Sequence, residues 1–163
     1  MDPDAIGRLL DRHEAALTLF ARQLCDAPED VVQEAFLRLG DLDREPENPG
    51  AWLFRVVRNL ALDAAVAAGR RRKHESRAAA ESPGWFDPAA PEGPDPAEAE
   101  AALRALPCEE REVIVAHLWG GLTFEQIGRT IGASSSTAHR LYGRGLQTLR
   151  ERLGASCPTR ETT

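Results

Sequence analysis

The chain has 163 residues, of which 42% are hydrophobic and 28% charged, a balance that fits one ordinary domain or two small ones and excludes a wholly disordered chain. No stretch approaches the ~18 consecutive apolar residues of a membrane-spanning helix, and the acidic start MDPDAIGRLLDRHE lacks the apolar centre of a signal peptide, so a cytoplasmic protein without a membrane partner is expected. The net charge of −6 argues at first against nucleic acid.

The periodicity is helical throughout. Ile6, Leu9, Leu10, His13, Leu17, Phe20 and Leu24 recur at spacings of three and four and make one apolar stripe. A second helix is predicted from Pro28, with Asp26 as its cap and Glu29 completing a capping box. Its buried face is Val31, Val32, Ala35, Phe36 and Leu39, and its outer face is Asp30, Gln33, Glu34, Leu37 and Arg38. A third helix follows the cap residue Asn48 and the first-turn residue Pro49. Trp52, Leu53, Val56, Val57, Leu60 and Ala64 form its core stripe, with Arg55, Arg58, Asn59 and Leu62 on or beside the opposite face. Gly69 then interrupts the pattern before Arg70, Arg71, Arg72 and Lys73.

Residues 78–97 change character. Pro83, Pro88, Pro91, Pro94 and Pro96 stand with Gly84 and Gly93 among acids and alanines, which reads as a linker. Trp85 and Phe86 are unusual there, since a solvated linker rarely needs two large aromatics. At ~3.1 Å per residue such a segment reaches roughly 60 Å, on the order of 15 base pairs at a ~3.4 Å rise. The last third holds four short helical segments: Ala97–Leu106, Cys108–Trp119 with the stripe Val113, Ile114, His117 and Leu118, then Thr123–Ile131 and Ser134–Leu153. The expected fold is all-α: small helical domains at 5–77 and 98–155, joined by the Pro-rich linker 78–97 and followed by a tail at 156–163.

Charge is distributed in alternating blocks. Residues 1–50 carry 5 basic and 12 acidic side chains, residues 51–80 carry 7 and 2, residues 81–112 carry 2 and 9, and residues 113–163 carry 6 and 3. Because screening confines charge interactions to roughly 8–10 Å, a local basic face can hold a phosphate backbone on an acidic protein. Two basic blocks suggest two DNA contacts, and the alternation suggests that in the free chain the two domains pack basic face to acidic face. The three cysteines, Cys25, Cys108 and Cys157, and the four histidines, His13, His74, His117 and His139, show no ligand spacing, so free thiols, no metal and no cofactor are expected.

The segment from Leu122 to Leu153 carries the strongest local signal. Thr123 and Gln126 make a capping box, Phe124, Ile127 and Ile131 a packing face, Gly128 a place for close approach, and Gly132 a left-handed stop. Ala133 and Ser134 leave a tight turn, and Ser134 or Ser135 caps the next helix. That helix opens with Ser135, Ser136 and Thr137, continues with His139, Arg140 and Arg144, and is pinned by Leu141, Leu146 and Leu149. Small polar side chains and open N–H groups at a helix start suit phosphates and base edges in a major groove, so this is read as a DNA-binding helix-turn-helix.

With these residues in place, the segment resembles region 4 of sigma-70-family transcription initiation factors. The resemblance is carried by Leu106-Pro107, Arg111, Val113, Gly121-Leu122-Thr123, Ile127-Gly128, Gly132, Ser134, Thr137-Ala138 and Arg144-Gly145-Leu146, with Leu149-Arg150. The stretch from Asp30 to Leu39, that from Ala51 to Asp63, and Gly69–Arg72 are similar to region 2 of the same family. Two such domains with a linker match the layout of the extracytoplasmic-function (ECF) group. The resemblance implies a promoter-recognition subunit that is not itself an enzyme. Asp30, Gln33, Glu34, Leu37 and Arg38 would then bind core RNA polymerase. Arg55, Arg58, Asn59, Leu62, Arg70, Arg71, Arg72 and Lys73 would contact the −10 element. Ser135, Ser136, Thr137, His139, Arg140 and Arg144 would read the −35 element of promoter DNA. An anti-sigma factor is a further implied partner, and no small-molecule substrate is implied.

Three departures from the family pattern stand out. The loop Asp41–Gly50 contains no aromatic to support a flipped base. Gly143 and Gly145 sit inside the recognition helix, each costing about 1 kcal/mol against alanine, which predicts fraying without DNA. His139 stands where arginine is common. A dimeric helix-turn-helix regulator independent of polymerase is the competing reading, but it leaves residues 30–73 without a role. An enzyme has no supporting constellation.

Overall fold

The structure, a computed structural model, describes residues 2–72 and 96–154. Among the described residues there are seven helices and no strand. Lys73, Trp85, Phe86 and most of the expected linker lie outside them, as do His74 and Cys157.

Three helices make the N-terminal half: Pro3–Arg22 (α1), Pro28–Gly40 (α2) and Pro49–Arg72 (α3), each packed on the other two. The expected inner face of α2 is buried at every position, Val31, Val32, Ala35, Phe36 and Leu39 alike. The expected cap is different. Ala27 occupies the cap position without a side-chain hydrogen bond, Pro28 starts the helix, and Asp26 instead pairs with Arg72 at the end of α3. Proline at the first position removes one orphan N–H, which lowers the need for a capping side chain. Asn48 behaves as expected, its Oδ1 accepting from the Ala51 N–H at 2.9 Å.

The C-terminal half contains Pro96–Arg104 (α4), Cys108–Leu118 (α5), Phe124–Ile131 (α6) and Ser135–Gly154 (α7). The short α4 begins inside the expected linker, and α7 packs against α4, α5 and α6. In α5 the stripe expected from the sequence is too narrow. Glu110, Glu112, Val113, Ile114, Val115 and Ala116 are all buried, whereas Leu118 is exposed. Helix α5 is enclosed on several sides, touching α7 and α6 in its own half and α1 in the other, so a buried run from Glu112 to Ala116 replaces the amphipathic pattern.

The halves are in contact. Helix α3 packs on α6 and α1 on α5, and one apolar core runs from Ala16 through Phe54 and Ile114 to Leu141. Phe54 sits at the join. It is fully buried, meets the Phe20 ring edge-on with centroids 5.2 Å apart, and lies against Gly120 so closely that a Cβ there would come within 2.5 Å of its Cζ. The sequence stripe of α3 omits Phe54, whose burial is shared between Phe20 of its own half and Gly120 of the other.

Candidate nucleic-acid interface

The turn between α6 and α7 is built from its own backbone. Thr123 caps α6 in a full capping box: its hydroxyl accepts from the Gln126 N–H, and Gln126 Oε1 accepts from the Thr123 N–H at 2.9 Å. Gly132 adopts φ 72°, ψ 34°, a left-handed conformation that costs a side chain about 1–2 kcal/mol, and the Ala133 N–H closes on Gly128 O at 2.8 Å. Gly128 is needed for approach: a Cβ would lie 2.8 Å from Ala133 O and 3.0 Å from the Ser134 carbonyl carbon. The close neighbour is thus the turn itself.

At the start of α7, Ser134 Oγ accepts from the Thr137 N–H at 3.1 Å and shares hydroxyl bonds with Ser136 and Thr137. Ser134 is therefore the cap. No acid occupies the first turn, so the positive end of the helix stays open to an anion. Ser135, Ser136, His139, Arg140 and Arg144 are exposed and Thr137 is half-buried, so the six expected −35 residues occupy one continuous accessible stretch of helix.

An aromatic cluster braces this stretch. Phe124 stacks on His117 with centroids 4.5 Å apart, lies 5.4 Å from the Tyr142 ring, and receives the His139 ring edge-on at 4.9 Å. His117 Nδ1 lies 2.8 Å from the Leu122 carbonyl oxygen, and since a carbonyl only accepts, that nitrogen carries the proton. His139 is thus held partly by Phe124. Tyr142 escaped the sequence reading, which followed Leu141, Leu146 and Leu149; of these Leu141 is buried and the other two are half-buried.

The two internal glycines of α7 leave the helix continuous to Gly154. Gly145 is buried, and a Cβ would stand 2.6 Å from Ile114 Cδ1 and 3.3 Å from Glu110 Cβ. Its missing side chain lets α7 cross α5 closely, whereas Gly143 faces open space. Beside it Arg144 Nε lies 3.3 Å from Glu110 Oε1, the arginine 61% and the carboxylate 8% exposed.

On the N-terminal half, Arg55, Asn59 and Leu62 lie exposed along the outer face of α3, with Arg70, Arg71 and Arg72 at its end. Arg58 differs from these expectations. Its Nε donates to Glu112 Oε2 at 2.7 Å, and the side chains keep 20% and 4% of their exposure. The contact withdraws Arg58 from the open face. Among the expected polymerase-binding residues, Asp30, Gln33, Leu37 and Arg38 are exposed and Glu34 half-buried, with Glu34 Oε1 accepting from Arg38 Nε at 2.7 Å. Leu37 is 59% exposed and borders an apolar groove of about 560 Å³ between α1 and α2, lined by Ile6, Leu10, Val32 and Phe36 with Gln33 at its edge.

His13 is held below the usual imidazole range, first by burial and then by the Arg12 charge. Burial pushes both the Cys25 and the Cys108 thiols up. Among the described residues no group of three potential ligands comes together, and no helix is long and apolar enough to cross a membrane.

Comparison with known proteins agrees with this geometry. Residues 9–71 match the family model for sigma-70 region 2, and residues 102–151 match that for sigma-70, region 4. The ECF RNA polymerase sigma factor SigE of Mycolicibacterium smegmatis is 33% identical over 77% of this chain and 51% of its own length. The RNA polymerase sigma factor CarQ of Myxococcus xanthus is 32% identical over 93% of this chain and 90% of its own. The chain spans about half the length of the first curated relatives it matches, SigE and the probable ECF sigma factor SigI of Mycobacterium tuberculosis. Among solved structures, the sigma factor RpoE of Bartonella quintana, seen in complex with the anti-sigma factor NepR, superposes with a TM-score of 0.75 at 25% identity, covering 93% of this chain and 98% of that one. The chain belongs to the sigma-70 family of RNA polymerase sigma factors, in its ECF group.

Proposed function

We propose that the chain is a cytoplasmic, non-catalytic promoter-specificity subunit. The outer face of α2, with Leu37 at its centre, docks on core RNA polymerase. The outer face of α3, continued by Arg70–Arg72 and by Lys73 beyond the described residues, meets the −10 element. The first turns of α7 read the −35 element. The working division is 5–77 for polymerase and the −10 element, 78–97 as the connection, and 98–155 for the −35 element. An anti-sigma factor is a natural partner, given the company in which RpoE is found.

The observation that carries this reading is the α6–turn–α7 unit. It presents exposed Ser135, Ser136, His139 and Arg140 from a capped helix start braced by Phe124, in a chain whose residues 9–71 match sigma-70 region 2. The test is co-elution of the purified chain with core polymerase free of other sigma factors, followed by transcription from a genomic DNA library. Specific initiation is expected, and the start sites then define both promoter elements. Leu37→Glu is expected to impair co-elution while leaving helicity intact. Sequence-specific DNA binding by a homodimer that ignores polymerase would instead support a helix-turn-helix regulator.

A further inference from the structure

The seam between the halves is charged as well as apolar. Glu112, buried in α5, faces Arg58 of α3 across 54 residues of sequence. Its other oxygen lies 3.7 Å from the Cys108 thiol, which also reaches the Gln23 carbonyl oxygen at 3.7 Å. The pairs Arg38–Glu34 and Arg129–Glu125, by contrast, close within single helices. Nearby, the buried Gln23 Oε1 has no hydrogen-bond partner. The seam thus sets a largely buried ion pair beside the apolar packing that joins the halves.

Carboxylate and phosphate oxygens compete for the same guanidinium N–H groups. While Glu112 occupies Arg58 Nε, a DNA phosphate cannot. The contact also bears on reach. Elements nominally 25 base pairs apart lie on the order of 80 Å apart at ~3.4 Å per pair, whereas here α3 and α6 touch.

We propose that Glu112 is an internal stand-in for a DNA phosphate: it holds Arg58 and keeps the chain in a closed form, and release of the Arg58–Glu112 pair frees the −10 face and lets the halves separate. The inference rests on the reading of Arg58 as a DNA-contacting residue. Glu112 takes no part in DNA contact itself, so its removal separates closure from binding.

The test uses the full chain in two assays, small-angle scattering and binding to a fluorescent mixed-sequence single-stranded DNA pool at low salt. Glu112→Gln is expected to enlarge the radius of gyration and to tighten DNA binding on the order of tenfold, within the usual range of coupling between two states. Glu109→Gln, at an exposed neighbour, is expected to change neither. Arg58→Gln is expected to open the chain without the gain in affinity. Should Glu112→Gln lose helicity, the scattering of Arg58→Gln decides: a compact profile overturns the proposal and an expanded one supports it. A folded Glu112→Gln that stays compact overturns the latch, and one that expands without tighter binding overturns the stand-in role. In either case initiation by the wild-type chain with core polymerase shows whether the sigma reading itself stands. If the wild-type chain fails to initiate and Arg58→Gln binds DNA as wild type does, the underlying reading has failed instead.

Discussion

Arg58 and Arg144 are both expected to touch DNA, and both are paired with carboxylates from the same helix, Glu112 and Glu110 of α5. Their settings differ. Arg144 belongs to the same half as its partner, stays largely in solvent and holds the pair at a loose 3.3 Å. Arg58 reaches into the other half, is largely buried and holds its partner at 2.7 Å. Arg144 is itself exposed, so it can leave Glu110 without any movement of the halves, although the buried Glu110 then loses its partner. A buried pair that loses one member leaves an uncompensated charge, so Arg58 changes partners only when the halves move.

The largest expected effect comes from the packing beside the Arg58 seam. Phe54→Ala removes the ring wedged between Phe20 and Gly120 and should cost about 3–5 kcal/mol, read as a lower urea midpoint. A loss under ~1 kcal/mol would mean that the join is not a packed core and that the contrast between the arginines is overstated. Arg144→Ala should weaken −35 binding by about 1–3 kcal/mol if the residue reads a base, with the scattering profile unchanged. Expansion of that variant would assign Arg144 a share in closure.

Thr123→Ala breaks the α6 capping box and should cost about 1 kcal/mol. Its use is diagnostic: if the halves unfold together, probes in either half should report the same shift, whereas a shift confined to the C-terminal half would show that the seam does not couple them. The smallest effect is a pH slope. His13 has a lowered pKa in the folded chain, so below the ordinary imidazole value near 6.5 the unfolded chain takes up the proton more readily. Stability from this group is whole at neutral pH and declines as pH falls from about 6.5 toward the lowered folded value. His13→Gln should flatten that part of a urea-midpoint profile; an unchanged slope would locate the titrating group elsewhere.

Faces set by local pattern were legible in the sequence. The inner face of α2, the Asn48 cap, the Thr123–Gln126 box and the left-handed Gly132 are each fixed within a few residues. Features set by distant chain were not. Phe54 and the burial of α5 follow from packing against several elements distant in sequence, in both halves, and no periodicity records that. Gly145 read as a weakness of the helix because its reason, the approach of Ile114, lies thirty-one positions away. The charge alternation did point toward contact between the halves, yet it could not single out Glu112, which is one acid among nine in its block. Asp26 was misassigned because the cap pattern is shared by residues that serve other partners.

The anchoring of α7 separates two kinds of mutational change. Its first turn offers Ser135 and Ser136 to solvent, while Ala138 and Leu141 are buried behind it and Gly145 meets α5 two to three turns later. On the proposed reading, substitutions at Ser135 and Ser136 change what the helix recognises without touching the contact of Gly145 with α5. Gly145 has less latitude, because a Cβ there requires Ile114 Cδ1, 2.6 Å away, to move aside and Glu110 to give by a few tenths of an ångström.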